Sequence, residues 1–298
     1  GSTLKHIKGK KYDLIYASSS RLMTGFLGAF ISKKIKIPLY LDIRDIFTEI
    51  LLELFPKPVS LLLHIPLKII ERFTFNQAEK INIVSEGFKD YFDKYFRKAQ
   101  ISIFPNGIDD EFIEEVNFNK QYSSNKTILY AGNIGEGQGL EKILPELSLI
   151  LYDWNFKIIG AGGTLHKLQK EVNKREIKNI RIEPPLSRKD LIEEYIKSDI
   201  LFLHLNNHKS FEQVLPSKIF EYAATGKPIV AGVRGFSRYF INKNIENAFC
   251  FDPCNINDAI KCFEKLQLKT SKRIKFKTLY SRRKQMKLLA HDVISSIK

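Results

Sequence analysis

Cysteine is scarce in this chain: Cys250, Cys254 and Cys262 are all there is in 298 residues. An odd number, clustered late, is no disulfide framework. Their spacing fits no common zinc pattern and no histidine lies nearby, so they are expected to be free, mostly buried thiols of a reducing compartment. Long apolar runs are missing too. The stretch Pro58 to Ile70 is interrupted by His64 and Lys68 and falls short of the roughly 20 residues of a spanning helix. The start, GSTLKHIKGKKYD, has basic residues but no apolar h-region, which argues against a signal peptide. A cytoplasmic protein is expected. Acidic residues are also in short supply, 33 against 48 lysines and arginines, for a net charge of +15. Such a surplus speaks to solubility and anionic partners rather than to fold. Nucleic acid, an anionic membrane surface and phosphorylated substrates all fit it. The 44% hydrophobic content is enough for a sizeable core without staples.

What is present is a regular alternation. Tyr12–Tyr16, Pro38–Ile43, Lys80–Ser85 and Ile101–Phe104 read as strands. Between them, Ser18–Lys34, Val59–Ala78 and Glu86–Phe96 read as helices. The polar, Asn-rich stretch Asn117–Asn125 reads as a linker. A second series then opens, with strands at Lys126–Ala131, Asn155–Ile159, Ile180–Ile182, Ile200–Leu205 and Pro228–Ala231. Its helices are Gly139–Tyr152, Leu165–Asn173, Ser187–Lys197 with Ser187 as the cap, Ser217–Thr225 and Asn257–Lys298. Strand–helix alternation predicts α/β architecture with parallel sheets.

Two glycine-rich turns follow strands in the second series: Gly132-Asn133-Ile134-Gly135-Glu136-Gly137-Gln138-Gly139, and Gly160-Ala161-Gly162-Gly163. Glycines there let a backbone approach a ligand, and amides at a helix start can hold a phosphate. Either turn alone is explained equally well by tight-turn geometry. Two facing one crevice favour a nucleotide site.

The most specific segment runs from Leu215 to Val230. Ser217 is placed to cap a helix, with Pro216 before it. Lys218 sits in the first turn, where a cation opposes the helix dipole, which suggests another task, such as holding a diphosphate. Glu221 lies one turn later on the same side, where its carboxylate can take two ribose hydroxyls. The plain alternative is a solvated i, i+3 ion pair.

With these residues the chain resembles family 4 glycosyltransferases of the GT-B fold, and within them the bacterial surface-polysaccharide branch that includes L-fucosamine transferases. The resemblance is carried by Tyr12–Ser19, Leu41–Asp45, Pro105–Asp109, Tyr130–Gly135 with Gln138–Glu141, and Leu215–Val230. It implies two Rossmann-like domains, the first incomplete at its N-terminus, since relatives carry one or two further βα units before the Tyr12 strand. The expected division is 1–120 for a partial acceptor-side domain, 121–275 for the nucleotide-sugar domain, and 276–298 for a C-terminal helix packing back on the first.

The resemblance further implies transfer of a hexose or amino sugar from a nucleotide diphosphate donor, most simply a UDP-sugar, with retention of configuration and no cofactor or metal required. The acceptor implied is a lipid-linked saccharide or polysaccharide, reached from the inner face of a bacterial cell membrane. Glu221 matches the second acid of the family's E-x7-E motif. The first falls at Gln213, with Glu212 adjacent as a substitute. The diphosphate cations of relatives fall near Asn133 and Gln138, both neutral here; Lys218 is the replacement candidate, with Arg234 behind it. Gly132 and Gly135 line the donor, Gly160 and Gly162 match the turn near its base, and Arg44-Asp45 falls where relatives place a histidine facing the reacting sugar. Arg44, Asp45 and Lys218 are therefore the expected catalytic groups.

Two competing expectations remain. One is a non-catalytic half of a split transferase, needing a partner chain for the acceptor groove. The other, suggested only by charge, is a basic nucleic-acid-binding protein, but the module signatures and interleaved aromatic-basic stripe are missing, so no nucleic acid partner is expected. His204 reads as a packed or surface histidine, His208 as a loop residue near the site and Trp154 as core. The basic run Lys269, Lys272, Arg273, Lys275, Lys277, Arg282, Arg283, Lys284 and Lys287 reads as a solvated helix face, or as attraction to anionic lipid. The apolar Val59–Arg72 helix can contribute to the latter.

Overall fold

The structure, a computed structural model, describes residues 2–7, 9–19, 21–96, 99–113 and 126–297. It separates into two compact units. The first comprises Gly1–Gly107, Gln213–Leu215 and Arg282–Lys298; the second comprises Ile108–Glu212 and Pro216–Ser281. The expected linker, Asn117–Asn125, lies outside the described residues.

The first unit is a parallel sheet of β1 (Ile15–Ser19), β2 (Leu39–Ile43), β3 (Lys80–Ile83) and β4 (Gln100–Ile103), in that spatial order. All five residues of β2 are buried. That is why its apolar run does not alternate: both faces of a parallel strand are covered. The crossovers are helices Leu22–Ile35, Phe47–Leu54, Lys57–Gln77 and Lys89–Tyr95, the last preceded by a 3₁₀ turn at Glu86–Phe88. The long helix begins two residues before its expected start because Pro58 suits a first turn. Gly28 lets its helix lie on β1: a Cβ there would sit 2.9 Å from that of Ala17. Helix Arg282–Ile294 completes the unit. Its Asp292 accepts hydrogen bonds from Tyr40 (2.6 Å), Ser102 (2.7 Å) and Lys80 (3.0 Å), pinning it to the sheet.

The second unit holds a six-stranded parallel sheet: β5 (Thr127–Ala131), β6 (Asn155–Ile159), β7 (Ile180–Glu183), β8 (Ile200–His204), β9 (Ile229–Gly232) and β10 (Ala248–Phe251). The order is β10-β9-β8-β5-β6-β7. The chain thus winds one way from β5 and the other way from β8. In such sheets ligands bind beyond the carboxyl ends of the two strands where direction reverses. Here those ends are Ala131-Gly132 and His204-Leu205. The core beneath them includes Ile128, Tyr130, Leu140, Phe156, Phe202 and Phe251.

Three expectations about elements need correction. The predicted Gly139–Tyr152 helix is a 3₁₀ turn (Leu140–Lys142) followed by a helix at Leu144–Ile150, because Pro145 belongs in a first turn and cannot continue one. The predicted Asn257–Lys298 helix is three: Ile256–Lys265, Ile274–Leu279 and Arg282–Ile294. The first break ends at Arg273, which has φ +36° and is buried rather than on a solvated face. Its guanidinium donates to the carbonyls of Ala223 (3.2 Å), Lys227 (3.0 Å) and Glu246, and burial pushes its pKa down to about 10. Strand β10 and the helix before it, Gly235–Asn244, have no counterpart among the predicted elements.

Candidate active site

At the switch point of the second unit the two glycine turns pack backbone against backbone. The amide of Gly132 donates to Ile159 O (2.8 Å) and that of Ile134 to Ala161 O (2.8 Å). A Cβ on Gly160 would lie 1.8 Å from Gly132 O, and one on Gly162 would lie 2.4 Å from Ile134 O. Neither obstacle is a side chain that could swing away, so both positions require glycine. The first turn is laced internally. Gln138 Oε1 accepts from Asn133 Nδ2 (2.8 Å) and from the Gly135 amide (3.2 Å). These two neutral residues, expected at the diphosphate, are partners of each other.

The turn is also held from β8. Asn206 donates from Nδ2 to Glu136 O (2.8 Å) and from its amide to Gly137 O (2.8 Å). His204 is fully buried; its Nδ1 lies 2.6 Å from Gln138 O, and its Nε2 lies 3.0 Å from the Cys254 amide. A backbone amide only donates and a carbonyl only accepts. The neutral tautomer protonated on Nδ1 satisfies both, and burial pushes the pKa down to about 4. His204 is the packed histidine of the two readings, and it braces the turn.

Lys218 reaches this turn from the start of helix Lys218–Thr225. Gly132 has φ +146°, and a Cβ there would lie 2.0 Å from Lys218 Nζ. The lysine therefore occupies the space glycine leaves. Burial lowers its pKa, with Arg188 adding to that and Glu221 opposing it. Its ammonium makes no hydrogen bond or ion pair to the described residues. Ser217 does not cap the helix: it is already helical (φ −57°, ψ −30°), so its hydroxyl cannot reach the amides ahead. The first turn closes instead through Ile219 N to Pro216 O (3.1 Å) and Phe220 N to Ser217 O (3.1 Å).

Glu221 pairs not with Lys218 but with Arg188, whose Nη1 is 2.9 Å from Oε1. The same guanidinium reaches Asp109 Oδ2 at 2.5 Å and lies over the Phe112 ring. Tyr195 donates to the other Glu221 oxygen (3.3 Å). Arg188, Tyr195, Asp109, Asn206 and His204 thus surround the predicted donor residues, and sequence reasoning assigned none of them there. Only Pro105–Asp109, quoted for the resemblance, pointed that way. Tyr222, on the same helix, accepts from the Ala131 amide (3.1 Å), tying helix to β5.

The other candidates have partners of their own. Gln213 belongs to the first unit, donating to Glu49 Oε2 (3.3 Å) while its carbonyl accepts from Ser85 (2.5 Å). The Glu212 side chain is exposed, and its carbonyl packs against Gly235. Arg234 is committed to Asp252 (2.8 Å) and Asn207 (2.9 Å). Lys227 is fully buried and donates to Ile196 O (2.8 Å) and Ser198 O (2.7 Å), which makes it a structural cation.

In the first unit, Arg44 and Asp45 follow β2 at the carboxyl edge of the sheet. Arg44 donates to Asp42 Oδ2 (3.1 Å), Ser18 Oγ (3.2 Å) and Asn106 Oδ1 (2.5 Å), joining the ends of β1, β2 and β4. Asp42 beneath is buried and also receives Tyr16, Ser18 and Asn82. Asp45 lines a cavity of about 20 Å³ with Phe47, Thr48 and Glu71. Burial raises its pKa to about 6, with Arg44 opposing.

Residues 111–279 match the family model described as Glycosyl transferases group 1. A relative is WcaI of Escherichia coli (strain K12), named as a glycosyl transferase of colanic acid biosynthesis, 33% identical over 102 residues. That match covers 34% of this chain and about a quarter of the relative's length (25%). Similar solved structures include a sucrose-phosphate synthase from Thermosynechococcus elongatus (TM-score 0.79, 11% identity, covering 99% of this chain and 77% of that one). Anabaena HepE in complex with UDP-glucose is another (TM-score 0.72, 14% identity, 99% and 81%). A third is the lipopolysaccharide outer core galactosyltransferase WaaB (TM-score 0.68, 15% identity, 99% and 78%). These matches show the GT-B fold of two Rossmann-like domains.

Proposed function

Because the chain belongs to the family Glycosyl transferases group 1, we propose that it transfers a sugar from a UDP-sugar to a lipid-linked saccharide or polysaccharide acceptor in bacterial surface-glycan synthesis. The observation that carries the donor assignment is the Lys218 ammonium. It is half-buried, set against Gly132 of the first glycine turn at the sheet switch point, and without a described partner. A cation kept from water costs free energy unless an anion meets it, and a diphosphate supplies that anion. Glu221, oriented by Arg188 and Tyr195, takes the ribose hydroxyls. UDP as the nucleotide is supported by fold relatives solved with UDP or UDP-glucose. The acceptor class is proposed from the family resemblance, and the likeness to a transferase named for colanic acid biosynthesis is in keeping with a surface-glycan role.

As the sugar–oxygen bond breaks, charge grows on the departing diphosphate. Fixed donors aimed at that charge lower the barrier, and Lys218 is proposed to be one. Retention of configuration is part of the proposal by family likeness. Arg44 and Asp45, at the carboxyl edge of the other sheet, are proposed to position the reacting sugar and the incoming hydroxyl. A thermal-shift screen of nucleotides tests the donor. At a hundredfold excess over Kd a ligand adds about 2.7 kcal/mol, so UDP should raise the Tm by several degrees and ADP much less. A folded sample indifferent to every nucleoside diphosphate would refute the assignment.

A further inference from the structure

The small cavity of the first unit lies beside the carboxyl ends of β1 and β2, walled by helices Leu22–Ile35, Phe47–Leu54 and Lys57–Gln77. Its volume of about 20 Å³ has room for one group the size of a water molecule. Three oxygen-bearing side chains on its wall lack a hydrogen-bond donor among the described residues. Thr48 is fully buried, and its Oγ1 has no partner. Glu71 is buried as well; Lys68 (2.9 Å) and Tyr91 both donate to Oε1, which leaves Oε2 without a donor. Asp45 receives no hydrogen bond, and burial pushes its carboxyl up to about 6 against the pull of Arg44. Thr74, also on the wall, is different: its hydroxyl donates to Ile70 O (2.7 Å). Ala17, Ile43 and Phe75 make up apolar parts of the wall.

Buried acceptors without donors cost free energy, so the wall calls for a ligand rich in hydrogens. A hydroxyl brings one hydrogen and a water two, whereas a primary ammonium brings three and accepts none. Charge selects the same group. Two carboxylates border the cavity, and Arg21, the cation beside them on the wall, is exposed. The start of helix Phe47–Leu54 favours an anion, but its dipole amounts to about half a charge, against two on the carboxylates. We propose that this cavity binds a primary ammonium group, and that the acceptor saccharide bears it, as an amino sugar with a free amine. The second half rests on the transferase reading above. It follows from the cavity's place, at the sheet edge where Arg44 and Asp45 are proposed to position the reacting sugar and the incoming hydroxyl. Size makes the site selective. An acetyl group on the same nitrogen leaves it a single hydrogen, removes its charge, and adds more atoms than a water-sized cavity admits. N-acetylated sugars are therefore refused.

The test is a ligand-observed NMR titration of the full chain at about pH 7, where aliphatic amines are charged and Asp45 is ionised. Methylammonium should bind. Tetramethylammonium, equally charged but larger and without an N–H, should not. Among saccharides, methyl glucosaminide should bind about tenfold more tightly than methyl glucoside or the N-acetylated glycoside. D45N should weaken methylammonium and methyl glucosaminide by about tenfold, and T48V, which keeps the side chain's size and branching, by about threefold. Both variants should keep the wild-type thermal response to UDP, because Lys218 and Glu221 belong to the second unit. That response separates a failed amine site from a failed donor assignment. A wild type that does not bind methylammonium, or binds tetramethylammonium as well, overturns the proposal. So does unchanged amine binding in both variants, or an N-acetylated glycoside held as tightly as the free amine.

Discussion

Replacing Arg188 by methionine isolates what holds Glu221. Methionine keeps an apolar stem over Phe112 and removes the charge. Two interactions go: the 2.9 Å bond to Glu221 and the 2.5 Å bond to Asp109. The group is partly exposed, so the cost falls between that of a surface pair and that of a buried pair broken on one side. About 2 kcal/mol is a reasonable figure, which lowers the Tm by roughly 3 °C in a chain of this size. The second effect is on binding. With only the Tyr195 hydroxyl left to orient it, Glu221 samples more rotamers, and UDP affinity should fall about tenfold, or 1.4 kcal/mol. Titration calorimetry with UDP measures this directly. Lysine at the same position is a point charge that cannot bridge both carboxylates, so R188K should recover part of the affinity. The reasoning is refuted if R188M melts lower yet binds UDP as tightly as wild type, or more tightly. Arg188 would then compete with the ribose for Glu221 instead of positioning it.

Two pH effects follow. Asp45 titrates higher in the fold than unfolded, so its contribution favours folding below about pH 4 and turns against it as pH rises through about 6. D45N should therefore stabilise the protein by about 1–2 kcal/mol at pH 7.5, after discounting for partial exposure, while lowering turnover; a destabilised D45N in urea titration would contradict this. His204 is the opposite case, with a folded pKa near 4 below its unfolded value. Its contribution is complete above about pH 6.5 and is lost as pH falls toward 4, on the order of 3 kcal/mol. H204F leaves the Gln138 carbonyl and Cys254 amide without a partner, so it should cost about 2–4 kcal/mol at pH 7 and flatten the acid limb in urea melts at pH 7 and 4.5.

Much of this was legible in the sequence because it is local. Strands of the β2 and β8 type are continuous apolar runs, and glycines at strand ends announce turns that something must approach. The Lys218–Glu221 spacing placed both on one helix. What escaped was non-local. Arg188 sits 33 residues from Glu221 and 79 from Asp109, and nothing around it in the chain marks it as a bridge. Arg273 looked like one more cation in a basic run, yet three carbonyls from two separate segments make it a buried staple. Strand β10 is four residues at the edge of its sheet, too short for a period to register. Ser217 failed as a cap because the helix closes its first turn one residue earlier than its sequence suggests.

Calorimetry of UDP, UMP and 2′-deoxy-UDP against wild type, K218A and E221Q tests the donor site most directly. Wild type should prefer UDP to both analogues. K218A should lose the preference for two phosphates over one and keep that for ribose; E221Q should do the reverse. Unchanged preferences in both variants, or no uridine nucleotide bound by the folded wild type, would contradict a diphosphate at Lys218 and a ribose at Glu221.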